Sequence, residues 1–92
     1  MDEDTKRIKV GLEAAIKEAC PDAEPTVRYQ KPKSNGMRGL FLIFIKGKDL
    51  FWDIISDNIE RFRAENGLVW GDKVDDADYV LCDKYWYDPR KK

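Results

Sequence analysis

The chain contains no histidine. That removes the commonest general base, a common metal ligand and every Ser-His or Cys-His pair. Lysine and carboxylate chemistry remain, but there is no glycine-rich phosphate loop, Walker lysine or dinucleotide fingerprint. Ser34 and Ser56 stand in no context that marks a nucleophile. The segment Asp72-Lys73-Val74-Asp75-Asp76-Ala77-Asp78 offers hard oxygen ligands. It lacks the alternating Asp/Asn ligands, the turn glycine and the terminal Glu of a calcium loop. These residues predict a protein that is not an enzyme and needs neither metal nor other cofactor.

Binding chemistry is better represented. Arg28, Lys31, Lys33 and Arg38 form a basic stretch with no acid inside it, while Asp72, Asp75, Asp76 and Asp78 form an acidic one relieved only by Lys73. Either run can be a solvated loop; together they can make a dipolar surface that steers a charged partner. Trp70 lies between Gly67 and Gly71 and is followed by the acids. It is the best candidate for an exposed aromatic anchor, the residue type that dominates binding hot spots, although it could equally plug the core. Tyr79, Tyr85 and Tyr87 recur at period two and, beside Arg28, could stack single-stranded RNA bases. Cross-strand packing is the other use of such tyrosines. Asp83 and Asp88 among them, a net charge of −1 and no RNP-type motif count against the nucleic-acid reading. Gly36-Met37-Arg38-Gly39 matches the GxxG clamp of KH domains, but that clamp joins two helices and this one falls in a predicted hairpin.

These residues must be carried by a small scaffold. At 92 residues the chain is read as one domain, 1–92, with 1–4 and 88–92 as frayed ends. Ile8, Leu12, Ala15, Ile16 and Ala19 give an apolar stripe that predicts a helix over 5–19, stopped by Pro21. Gly11 inside it marks a place of close packing. Residues 26–31 alternate as a half-buried strand, with Val27 and Tyr29 on one face and Arg28 and Gln30 on the other. Asn35-Gly36 signals a hairpin back into Leu40-Phe41-Leu42-Ile43-Phe44-Ile45. A second helix is expected over 50–65, capped by Asp49 and ended by Asn66-Gly67, with Phe51, Ile55, Ile59 and Phe62 inward and Ile54 and Asn58 at the flanks. Leu68-Val69-Trp70 offers an optional short strand, and residues 77–87 read as the last one. Cys20 and Cys82 are expected as reduced, buried thiols.

The order α-β-β-α-(β)-β predicts an α+β two-layer sandwich, with two helices packed on one face of a mainly antiparallel sheet. Six consecutive large apolar residues then present three side chains to the face without helices. Burying each is worth about 1.5–3 kcal/mol, so the C-terminal aromatics, a second copy or a partner should cover them. The N-terminal residues have no apolar signal-peptide core and no stretch suits a membrane span, so a cytoplasmic location is expected.

A helix ending Ala19-Cys20-Pro21-Asp22 that runs into Thr26-Val27-Arg28-Tyr29, then a glycine-containing hairpin, an apolar strand and a helix, resembles the large polyvalent-protein-associated domains of phages and conjugative plasmids. The resemblance spans about the first two thirds of the chain and rests on layout, so no functional residue is carried over. In size and composition the chain also resembles small phage proteins without catalytic residues, including anti-CRISPR proteins. The resemblance implies a protein–protein interaction module, an inhibitor of a host defence nucleoprotein complex, homodimeric through its sheet face in one version. The contact residues expected from the charge runs and aromatics themselves are Arg28, Lys31, Lys33, Arg38, Trp70, Asp72, Asp75, Asp76, Tyr85 and Tyr87.

Overall fold

The computed structural model describes residues 3–31 and 39–82. Helix α1 spans Glu3–Ala19 and buries Thr5, Ile8, Leu12 and Ile16. The expected stripe therefore forms the inner face. Glu3 and Asp4, expected to fray, belong to the first turn, where their carboxylates favour the positive end of the helix dipole. Helix α2 spans Trp52–Asn66 and buries Ile55 and Ile59. Its end is as the sequence implied: Gly67 adopts the left-handed conformation at φ 67°, and its N–H and that of Leu68 close onto the carbonyls of Ala64 and Arg63.

The start of α2 corrects the sequence reading. Asp49 is not the cap; it sits at φ 54° three residues before the helix, and Phe51 occupies the cap position without a side-chain bond. Phe51, expected inward, thus falls outside the helical period and is exposed, and Ile54, expected at the flank of the stripe, is exposed too. Phe62 is half-buried, and Asn58 turns towards α1, donating from Nδ2 to the Ala15 carbonyl at 3.0 Å.

Strands β1 (Glu24–Gln30), β2 (Leu40–Lys46), β3 (Val69–Trp70) and β4 (Tyr79–Cys82) form one antiparallel sheet in the order β1-β2-β4-β3. The optional strand is real and lies at an edge. Directly opposed residues share a face, so the register Val27–Ile43–Tyr79 marks one side and Arg28–Leu42–Val80 the other. Phe41, Ile43, Ile45, Val27 and Leu81 enter the same core as the buried residues of both helices. The result is the expected α+β chain, with both helices contributing to the core on one sheet face.

Among the described residues the opposite face is covered by a segment the sequence reading did not consider; the C-terminal aromatics expected there lie outside the described residues. Leu42 and Val80 form a second small core with Ala77, flanked by Leu40, Phe44 and Val74. Val74 and Ala77 come from the acidic segment, which folds beneath the sheet. Its tip, Asp75-Asp76, has positive φ at both residues (53° and 60°), and the Ala77 N–H donates to the Val74 carbonyl at 3.0 Å. Two left-handed central residues are the pattern of a type I′ turn, and Asp tolerates that conformation better than most residues. Asp78 is not a solvated charge either. Its backbone N–H donates to the Ile43 carbonyl at 2.8 Å and its carboxylate accepts from the Ile45 N–H at 2.7 Å. A side chain thereby satisfies β2 beyond the end of the β4 ladder. Cys20 and Cys82 are both buried and free; Cys20 lies in the helix-side core, while Cys82 alternates to the Leu42–Val80 face.

Gly11 has the packing role expected of it. A Cβ there would stand 2.5 and 2.7 Å from Cε2 and Cζ of Phe62. Alanine gains up to about 1 kcal/mol of helix propensity, but forcing a ring aside costs about 1–3 kcal/mol. Gly11→Ala is therefore expected to lower stability by about 1 kcal/mol in urea unfolding. In a Phe62→Leu background the same change should stabilise; a gain in the parent protein would contradict the close approach.

Candidate interaction surface

The described residues among those singled out in the sequence are not brought into one site. Arg28 lies on the face opposite the helices, with its guanidinium 5.5 Å from the centre of the Phe44 ring, so its stem and charge lie along β2. Lys31 is exposed just past the end of β1. Asp72, Asp75 and Asp76 are exposed in the segment between β3 and β4. Lys33, Arg38, Tyr85 and Tyr87 lie outside the described residues. Tyr79 faces the helix side and Arg28 the other, so the base-stacking platform does not assemble among the described residues.

Among the described residues, Trp70 is the expected contact residue around which a site is built. It is 46% exposed, and β-pairing opposite Leu81 places it on the helix side. Its ring centre lies 6.2 Å from Tyr79, and Tyr79 lies 6.3 Å from Trp52 of α2, with the planes tilted by 43° and 41°. Trp52 is itself 42% exposed. Three aromatics thus form a row along the seam between α2 and the β3–β4 edge, at separations that suit ring–ring attraction.

Polar side chains of α2 hold that row. Trp52, Ser56 and Glu60 recur every four residues, which puts them on one helical face, and Arg63 follows on the same side. The Ser56 and Tyr79 hydroxyls share a hydrogen bond of 2.5 Å. The Trp70 indole N–H donates to Glu60 Oε2 at 2.8 Å. Arg63 donates from Nε to the same oxygen at 2.8 Å, from a terminal nitrogen to the other oxygen, and from its remaining nitrogen to the Leu68 carbonyl at 2.9 Å. This two-pronged bond fixes the carboxylate, and the carboxylate fixes the indole. The Arg63 bond holds the Glu60 carboxyl below its ordinary 4.5, overcoming slight desolvation, and the Trp70 bond adds to it; Arg63 is raised in turn.

The electrostatics make a pH prediction. A carboxyl whose folded pKa is lowered contributes fully above its unfolded value and loses that contribution as pH falls through the folded one. The titration of the Trp70 indole N–H resonance should therefore have its midpoint below the ordinary carboxyl value of 4.5. Glu60→Gln should abolish the titration. A midpoint above the ordinary carboxyl value would contradict the fork.

Sequence reasoning missed Ser56, Glu60 and Arg63 as parts of this site. The available signal was the Trp52–Ser56–Glu60 spacing, a second stripe beside the apolar one. No known protein family, curated protein or solved structure matches the chain. The resemblance to mobile-element modules therefore stands on layout alone.

Among the described residues no helix is long and apolar enough to cross a membrane.

Proposed function

We propose that the protein is a non-enzymatic interaction module whose contact surface is the Trp52–Tyr79–Trp70 row. The observation that carries this reading is an exposed indole held in a fixed orientation: Trp70 is 46% accessible, yet its N–H is bound to a carboxylate that is itself forked by Arg63. An aromatic ordered in advance loses little entropy on binding, which is what makes tryptophan and tyrosine efficient anchors. The polar groups of the site support the same reading. Ser56 and Tyr79 share a hydrogen bond, and Glu60 and Arg63 bond to one another and to Trp70 and Leu68, which supports a role in positioning the rings.

Photo-cross-linking in the cell of origin tests it. A benzophenone residue at Ala64, exposed one turn beyond Glu60, should yield a discrete adduct, and the same group at exposed Val10 of α1 should not. An adduct from position 10 with none from position 64 would place the contact elsewhere and overturn the reading.

A further inference from the structure

The row is bordered by acids that form no ion pair among the described residues, and this says what kind of segment can lie on it. On α2, Asp53 and Asp57 are exposed and lie one step around the helix from the Trp52–Ser56–Glu60 stripe, on its solvent side. From Asp49 to Glu60 the chain carries four acids and no base. At the other end, Gly71 donates to the Val80 carbonyl, extending the β3–β4 pairing one residue past Trp70 to the exposed Asp72. Of the nearby bases, Arg63 is committed to Glu60 and the Leu68 carbonyl, which leaves exposed Arg61, four residues after Asp57, and Lys73, next to Asp72, against the acids of the rim. Meanwhile Arg28 and Lys31 belong to the opposite end of the sheet, and Arg28 to its opposite face. Among aromatic side chains, tryptophan presents the face that attracts cations best, and tyrosine shares the property. Rim and rings therefore select the same charge.

We propose that the row docks a cationic segment of a partner protein, one that lays arginine or lysine side chains across the Trp52 and Trp70 faces while Asp53, Asp57 and Asp72 face its remaining charges. The proposal rests on the row being the contact surface and adds the chemistry of what it contacts. Cation–π contact supplies the short-range part, and the acidic rim steers the encounter and penalises anionic segments. A neutral proline-rich segment, which also favours aromatic grooves, would use the rings and ignore the rim.

The test uses three capped probes on the full chain: hexa-arginine, hexa-glutamate and deca-proline. Indole N–H resonances of Trp52 and Trp70 are followed by two-dimensional NMR, assigned with single Trp→Phe variants. Hexa-arginine should shift both indoles, weaken with added salt, and bind at least about threefold more weakly to the Asp53→Asn, Asp57→Asn double variant, whose rings are intact. Hexa-glutamate should shift neither. If deca-proline moves the indoles at lower concentration than hexa-arginine, the row survives as a binding surface and the cationic partner is refuted. If hexa-arginine moves only backbone signals of Asp72–Asp78 and leaves the indoles still, the charge is real but the row is not its site, and both readings fall.

Discussion

Leu42→Asp is expected to destabilise the protein by more than about 4 kcal/mol, enough to leave a domain of ordinary stability largely unfolded. The argument turns on which atoms meet Leu42. It points away from the helices, and in a bare two-layer arrangement its face would be open to water and would tolerate a carboxylate. Here it is only 6% exposed, enclosed by Val80 and Ala77 with Leu40, Phe44 and Val74 around them. Losing the buried leucine costs about 2–5 kcal/mol, and an unpaired carboxylate in its place adds a desolvation cost. Thr26 provides the control. It lies on the same sheet face but on edge strand β1, and it is exposed. Thr26→Asp should cost no more than about 1 kcal/mol in the same urea titration. Similar small effects at both positions would mean that Val74 and Ala77 do not close the face.

The second large effect concerns binding. Trp52→Ala and Trp70→Ala should each weaken partner binding by about 2 kcal/mol or more, about 30-fold, while the helical circular dichroism is retained. Both rings are more than two-fifths exposed, so truncation removes little core. Trp70→Ala also releases Glu60 from one of its bonds, but Arg63 still forks the carboxylate, so no buried charge is left unpaired. The two substitutions share Tyr79 as a neighbour, and their effects should add to less than their sum.

Much of the fold was legible in residue spacing because local period and burial agree there. Ile8, Leu12 and Ile16 in α1, the alternation of Val27 and Tyr29 against Arg28, and the left-handed Gly67 all follow from rules that act within one element. Failures occur where a distant contact decides. Asp49 has the chemistry of a helix cap but adopts φ 54° three residues too early, which ejects Phe51 from the helical period. Asp72 to Asp78 reads as one acidic loop, yet its members diverge: Asp75 and Asp76 turn the chain, Asp78 completes the hydrogen bonding of β2, and Val74 and Ala77 become core. Alternation showed that β2 needed cover on its second face, but nothing local to the segment reveals that it supplies that cover.

The candidate site was legible in one residue. Trp70 stood out by its setting between glycines and acids, but its orientation depends on Glu60, ten residues away, and its neighbour Tyr79 was read as part of a column with Arg28. Sheet pairing separates those two by putting them on opposite faces. Basic and acidic runs are visible in any sequence; a row made by one helix and two strands is visible only once the register is known.

The most direct measurement compares two double variants of the full chain for retention of the cellular partner, at equal thermal stability. Trp52→Ala with Trp70→Ala removes the row, and Arg28→Ala with Lys31→Ala removes the described part of the basic stretch. The first variant should lose the partner and the second should keep it. Retention by the first and loss by the second would contradict the assignment of the contact surface to the seam between α2 and the β3–β4 edge.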